Sequence, residues 1–237
     1  MSVRDELLIY PVDQRFLNEV EKQFDLTRMV GSGTFGEVYE AYDRVNHRKV
    51  AIKRLFPYQT LDAHKKEAGF ISSLNGKPNI VQLQYSPPLA PDGIILVEEQ
   101  QALLFEFFEH DNPSDYVKDL TIKEISHYMK NLFVALRSVH SLGIIHRDVK
   151  LNNFLYDRKN KKYLLVDFGL AEKKIPKGTM GTRGYRAPEV VMGSQHQTTA
   201  VDVWSAGVIL LNLLCRKTHF QWFRHDNDNL ATMEIYG

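Results

Sequence analysis

His146-Arg147-Asp148-Val149-Lys150-Leu151-Asn152-Asn153 is the stretch on which the reading of this 237-residue chain turns. It sets one carboxylate between a histidine–arginine pair and a lysine, with an asparagine at the end. A polar turn between two elements needs polarity but no particular order. The order H-R-D-x-K-x-x-N brings together an acid able to accept a proton, a cation beside it and an amide oxygen suited to a hard metal ion. Moving outward, Asp167-Phe168-Gly169 follows 14 residues after Asn153, directly behind the apolar run Tyr163-Leu164-Leu165-Val166. Gly181-Thr182-Arg183-Gly184-Tyr185-Arg186 and Ala187-Pro188-Glu189 close the segment that opens at Asp167. Toward the start, Lys53 ends Val50-Ala51-Ile52-Lys53, 15 residues beyond Val38. Gly31-Ser32-Gly33-Thr34-Phe35-Gly36-Glu37-Val38 holds G-x-G-x-x-G. A dinucleotide fold would need a helix next and an acid about 20 residues on; a strand hairpin follows instead.

The hairpin is read from period-two alternation over Glu37–Tyr42, a polar turn over Asp43–Arg48 and the strand Val50–Lys53. Asp62 to Leu74 reads as a helix with Ala68, Ile71 and Leu74 on one face, stopped at Asn75-Gly76. Glu67 sits on that helix, one turn before Ile71. Ala102 to Phe108 is a short apolar strand. Thr121 with Glu124 forms a capping box; Ile125, Met129, Leu132, Leu136 and Val139 then recur at helical spacing up to Gly143. Val203 to Leu214 is apolar nearly all round, as expected of a helix buried at the centre of a domain. The expected division is an N-terminal extension (1–23), a sheet-rich lobe (24–108) and a helical lobe (109–237).

Six motifs in this order, over residues 31 to 207, resemble the protein kinase superfamily. The resemblance implies an α+β, bilobal fold: a small antiparallel sheet with one helix, then a mainly helical lobe that is shortened here. It implies ATP and Mg²⁺. Gly31, Ser32, Gly33, Thr34, Phe35, Gly36, Val38 and Ala51 would lie against the nucleotide. Lys53 would reach its phosphates, with Glu67 as counter-ion. Phe105 would stand at the back of the adenine pocket, with Glu106 and Phe108 offering backbone bonds to the base. Asp148 would accept the proton of the attacking hydroxyl, Lys150 would stabilise the transferred group, and Asn153 and Asp167 would hold magnesium. Lys150 and Thr182 stand where serine/threonine kinases carry them.

The segments between motifs, among them Phe108-Glu109-His110-Asp111 and Asn153-Phe154-Leu155-Tyr156-Asp157-Arg158, resemble the cell division control protein 7 kinases. That resemblance implies a nuclear enzyme that acts on the replicative helicase with a Dbf-type regulatory subunit. It also implies substrates with an acidic residue after the acceptor. Arg183, Arg186, Lys173, Lys174 and Lys177 supply positive charge along the loop that would receive it. The family usually carries long inserts; Leu170 to Arg186 is short, and the last helices of the lobe would lie beyond Gly237. Rival readings are a casein-kinase-like enzyme, a small-molecule kinase, which would lack Ala187-Pro188-Glu189, and a silent scaffold, against which Lys53, Asp148, Asn153 and Asp167 argue.

Composition sets outer bounds. Apolar residues at 43% and charged residues at 25% fit a globular protein with a sizeable core, and a net charge of +1 gives no reason to expect a bulk nucleic-acid or membrane binder. Met1 to Tyr10 lacks a secretory apolar core, and the longest apolar run, Val201 to Cys215, is interrupted and too short to span a bilayer. Cys215 is the only cysteine, which excludes an internal disulfide framework and fits a reducing compartment. It is expected to be a small buried hydrophobe.

Overall fold

The computed structural model describes residues 14–33, 36–56, 61–97, 100–173 and 179–218, with backbone alone for 61–64. Thr34, Phe35, Lys174 and Lys177 lie outside the described residues. The chain divides into two compact units, Met1–Ser73 with Gln82–Phe108, and Leu74–Val81 with Glu109–Gly237.

The first unit is built on five antiparallel strands: β1 (Phe24–Ser32), β2 (Gly36–Asp43), β3 (Arg48–Leu55), β4 (Ile94–Val97) and β5 (Gln100–Glu106), in the order β1-β2-β3-β5-β4. Alternation along each strand divides the sheet into two faces. On one face, Ala41, Val50, Ile52, Ala102 and Leu104 join Phe16 and Val20 of α1 (Gln14–Val20) in an apolar core. Residues 14–20, which the sequence reading leaves outside the sheet-rich lobe, therefore help to close it. A second helix, α2 (Leu61–Ser73), buries Ala68 and Ile71, and Leu74 just beyond it is also buried. β5 stops at Glu106, so Phe107 and Phe108 are not part of the strand.

The second unit holds α3 (Pro113–Tyr116), α4 (Ile122–Ser141), a 3-10 turn (Leu151–Asn153), β6 (Phe154–Asp157), β7 (Lys162–Leu165), α5 (Pro188–Val191) and α6 (Ala200–Leu214). The capping box at the start of α4 is present in full: Thr121 Oγ1 accepts from the Glu124 N–H, and Glu124 accepts from the Thr121 N–H at 2.8 Å. Tyr116, Tyr128, Tyr156, Tyr163 and Phe154 form an aromatic cluster that seats the β6–β7 hairpin against α4. Burial in this cluster pushes the Tyr128 phenol well above its ordinary pKa.

Two expectations are corrected. α6 is not buried all round: Val203 (50% exposed), Leu210, Leu211 and Leu214 (49%) line a side on which the described residues pack poorly, while Val201, Ile209 and Leu213 face the core. A nearly all-apolar sequence cannot reveal which side finds a partner. Cys215 is exposed rather than buried, because it follows Leu214 on the open side of the helix. Among the described residues, no helix is long and apolar enough to cross a membrane.

Candidate active site

In the first unit, strand register gathers the predicted nucleotide residues. Gly31 pairs with Val38, Val38 with Lys53, and Ala51 with Phe105. Cross-strand partners share a face, so these five residues lie on the side of the sheet opposite the α1 core. Lys53 is 8% exposed, and its Nζ donates to Glu67 Oε1 at 2.7 Å. Glu67 itself is 3% exposed. A buried carboxylate beside a buried ammonium satisfies both charges, and losing either leaves the other uncompensated. Phe105 is buried, Glu106 is exposed and Phe108 is half-buried. Gly33 N–H donates to the Gly36 carbonyl at 3.0 Å, and Ser32 and Gly33 are exposed. Gly36 has no room for a side chain: a Cβ there would fall 2.1 Å from the Arg54 carbonyl oxygen.

In the second unit, Asp148 is met by four donors from separated parts of the chain. Lys150 Nζ donates to Oδ2 at 2.8 Å and Asn153 Nδ2 at 2.9 Å. Thr182 donates to Oδ1 through its hydroxyl at 2.5 Å and its N–H at 3.1 Å. Lys150 Nζ also donates to Thr182 Oγ1 at 2.9 Å. Gly181 permits this approach of the loop, with φ +103° and 2.7 Å between a hypothetical Cβ and the Arg147 carbonyl oxygen.

The residues that hold this loop carry no expected site role from the sequence motifs. Asp202, fully buried in the first turn of α6, accepts the N–H of Arg147 at Oδ1 and that of His146 at Oδ2, both at 2.8 Å. His140 Nε2 lies 2.8 Å from the same Oδ2. These bonds support Arg147 in left-handed backbone, φ 69°, a conformation that costs energy for a side chain of this size. His146 donates from Nε2 to the Val166 carbonyl at 3.0 Å and accepts the Asp148 N–H on Nδ1 at 3.3 Å. Its ring meets Phe168 edge-on at 4.8 Å. Asp167 follows with φ 64°, again left-handed and half-buried. Tyr185 is anchored by Ser205 Oγ donating to its carbonyl at 2.7 Å and by Asn212 Nδ2 donating to its hydroxyl at 3.2 Å. Burial raises its phenol to about 12. The available signals were the acid opening an apolar helix (Asp202) and the first residue of the loop motif (His146).

The family model described as "Protein kinase domain" matches residues 24–236. The chain is 30% identical to the probable cell division control protein 7 homolog 2 of Encephalitozoon cuniculi (strain GB-M1), over 98% of this chain and 76% of the relative. Homolog 1 of the same organism matches to the same extent. Each alignment runs over 279 residues, more than this chain holds, so the relatives carry insertions relative to it. A protein kinase domain implies use of ATP, usually with Mg²⁺. With the loop and sheet geometry above, these matches place the chain in the protein kinase family, among proteins like cell division control protein 7.

Proposed function

We propose that the chain transfers the γ-phosphoryl group of ATP to serine or threonine of protein substrates. The observation that carries this reading is the set of donors around Asp148. With Lys150 on one oxygen and Thr182 on the other, the carboxylate is held in one orientation, ready to accept the proton of an incoming hydroxyl. Lys150 is also assigned to stabilise negative charge on the moving group. Lys53, steadied by Glu67, is assigned to the ATP phosphates, beneath the Gly31–Gly36 loop with Val38 and Ala51. Phe105, Glu106 and Phe108 are assigned to the adenine side.

The residues present suit magnesium. Asn153 Nδ2 donates to the Asp148 carbonyl and to its carboxylate, both at 2.9 Å, which turns the amide oxygen away from those partners as a ligand atom. Asp167 adds a carboxylate, and Mg²⁺ usually takes one or two carboxylates plus phosphate and water. The ion would offset negative charge on the phosphates; the chain's own part is to hold these two oxygens in place.

Substrate choice is assigned to the loop after Thr182. A hollow there is lined by Arg147, Gly181, Thr182, Tyr185, Arg186 and Gln197, and Arg183 is exposed beside it. Guanidinium pairs well with carboxylate or phosphate, which favours an acidic or phosphorylated residue after the acceptor. The names of the relatives support a part in the control of cell division; to this the resemblance of the intervening segments adds a proposed nuclear role in starting DNA replication, with the replicative helicase as substrate and a Dbf-type subunit as activator. The test is transfer from labelled ATP and Mg²⁺ to a protein substrate, with and without co-purifying partners, followed by phosphoamino-acid analysis. Label on serine or threonine, absent with Asp148→Asn, supports the reading. Label on tyrosine, or none under any condition, overturns it.

A further inference from the structure

The β6–β7 hairpin displays charge that phosphoryl transfer does not use. Its base is rigid: Tyr156 and Tyr163 stack at 4.7 Å, and Tyr128 of α4 meets both edge-on. Its turn is equally constrained. Asp157 accepts from Asn160 through its N–H at 2.9 Å and its Nδ2 at 2.7 Å. Arg158 N–H donates to Asp111 Oδ2 at 2.8 Å, and its guanidinium donates to Glu124 Oε1 at 2.9 Å and Asp119 Oδ1 at 2.8 Å. Lys159, Lys161 and Lys162 remain, all exposed and in no ion pair among the described residues. Asp157, next to the turn, feels Lys162 and Lys159 only through the Coulomb field.

Lys161 sits in left-handed backbone, φ 54°. Glycine or asparagine suits such a position, and a long side chain there is strained. The turn thus carries an ammonium on its strained residue, between two other exposed ammoniums. Asp111, Asp119 and Glu124 border the turn through their bonds to Arg158. A long, uniformly charged duplex would cross those acids and be repelled, whereas a short run of carboxylates meets only the lysines. At about 3.3 Å per residue, β6 carries the turn about 13 Å along the strand from Asn153.

We propose that Lys159, Lys161 and Lys162 form a docking surface for a short acidic segment of a protein partner. Fluorescence anisotropy of the full chain with a labelled hexaglutamate peptide tests this, with hexaglutamine and a 12-base-pair DNA duplex as controls. Hexaglutamate should bind at least tenfold more tightly than either control, and binding should weaken as salt rises. Lys159→Gln with Lys161→Gly and Lys162→Gln should weaken it at least tenfold. Lys123→Gln with Lys130→Gln, on the exposed side of α4, should leave it unchanged. Lys161→Gly alone should raise the melting temperature while weakening binding, opposite to what a purely structural lysine would do. Equal hexaglutamate affinity in the triple variant, tighter binding of the duplex, or no binding at all would each overturn the proposal.

Discussion

Asp148 owes its orientation to two residues of its own loop, Lys150 and Asn153, and to the distant Thr182, and this sets what single substitutions should do. Asp148→Asn keeps the size of the side chain but removes the proton acceptor. Turnover should fall by about 10²–10⁴-fold while a cooperative melting transition survives. Asp167→Asn should also weaken Mg-ATP binding, because a carboxylate ligand is lost. Near-parental turnover in either variant would show that the assignment is wrong. Asp202 acts one step back. Asp202→Ala strands the N–H groups of His146 and Arg147, both of which donate to it at 2.8 Å. An unsatisfied buried donor costs about 1–3 kcal/mol, so urea denaturation should show a loss of about 2–6 kcal/mol for the two, together with lost transfer. A stable Asp202→Ala variant would mean that the loop is held some other way.

At the scale of elements, α4 offers the clearest test. Thr121→Ala removes the cap and should cost about 1 kcal/mol. Glu124 is held at about 2, below its ordinary 4.5, first by the hydrogen bond from Arg158 and then by the Thr121 N–H. A depressed carboxyl contributes its full stability above its unfolded pKa and loses it as pH falls through the folded one. The contribution is therefore complete above about pH 4.5 and fades toward pH 2. Its side chain is 28% exposed, so solvent screening limits the effect to about 0.5–1 kcal/mol. Denaturation followed across that window should show a smaller acid loss for Glu124→Gln than for the parent; identical profiles would remove the ion pair from the account. The sheet teaches a different lesson. The period-two pattern was enough to expect β2 and β3, but only pairing register showed that Gly31, Val38, Ala51, Lys53 and Phe105 share one face.

For the molecule as a whole, a net charge of +1 means that any attraction to acidic substrates must be local. A peptide library scanned at the position after the acceptor should favour Asp, Glu or phosphoserine over Pro, Ala and Lys. The preference should weaken in Arg186→Ala and at high salt, where exposed ion pairs are screened. A preference for proline, or an acidic preference untouched by Arg183→Ala with Arg186→Ala, would dismiss the proposed role of these arginines. The amino-acid order by itself determined the kind of fold and the chemical groups of the candidate site. Motifs such as His146–Asn153 are local, and their spacing carries over directly into geometry. The resemblance already pairs Glu67 with Lys53, and their 2.7 Å contact agrees with it; only the tertiary structure decided that Asp202 and His140 brace the loop that carries Asp148, that α1 closes the first core, and that Cys215 and one side of α6 stand open. Those outcomes depend on which surfaces pack together. Asp202 lies 56 residues from His146, so no local pattern could encode their contact.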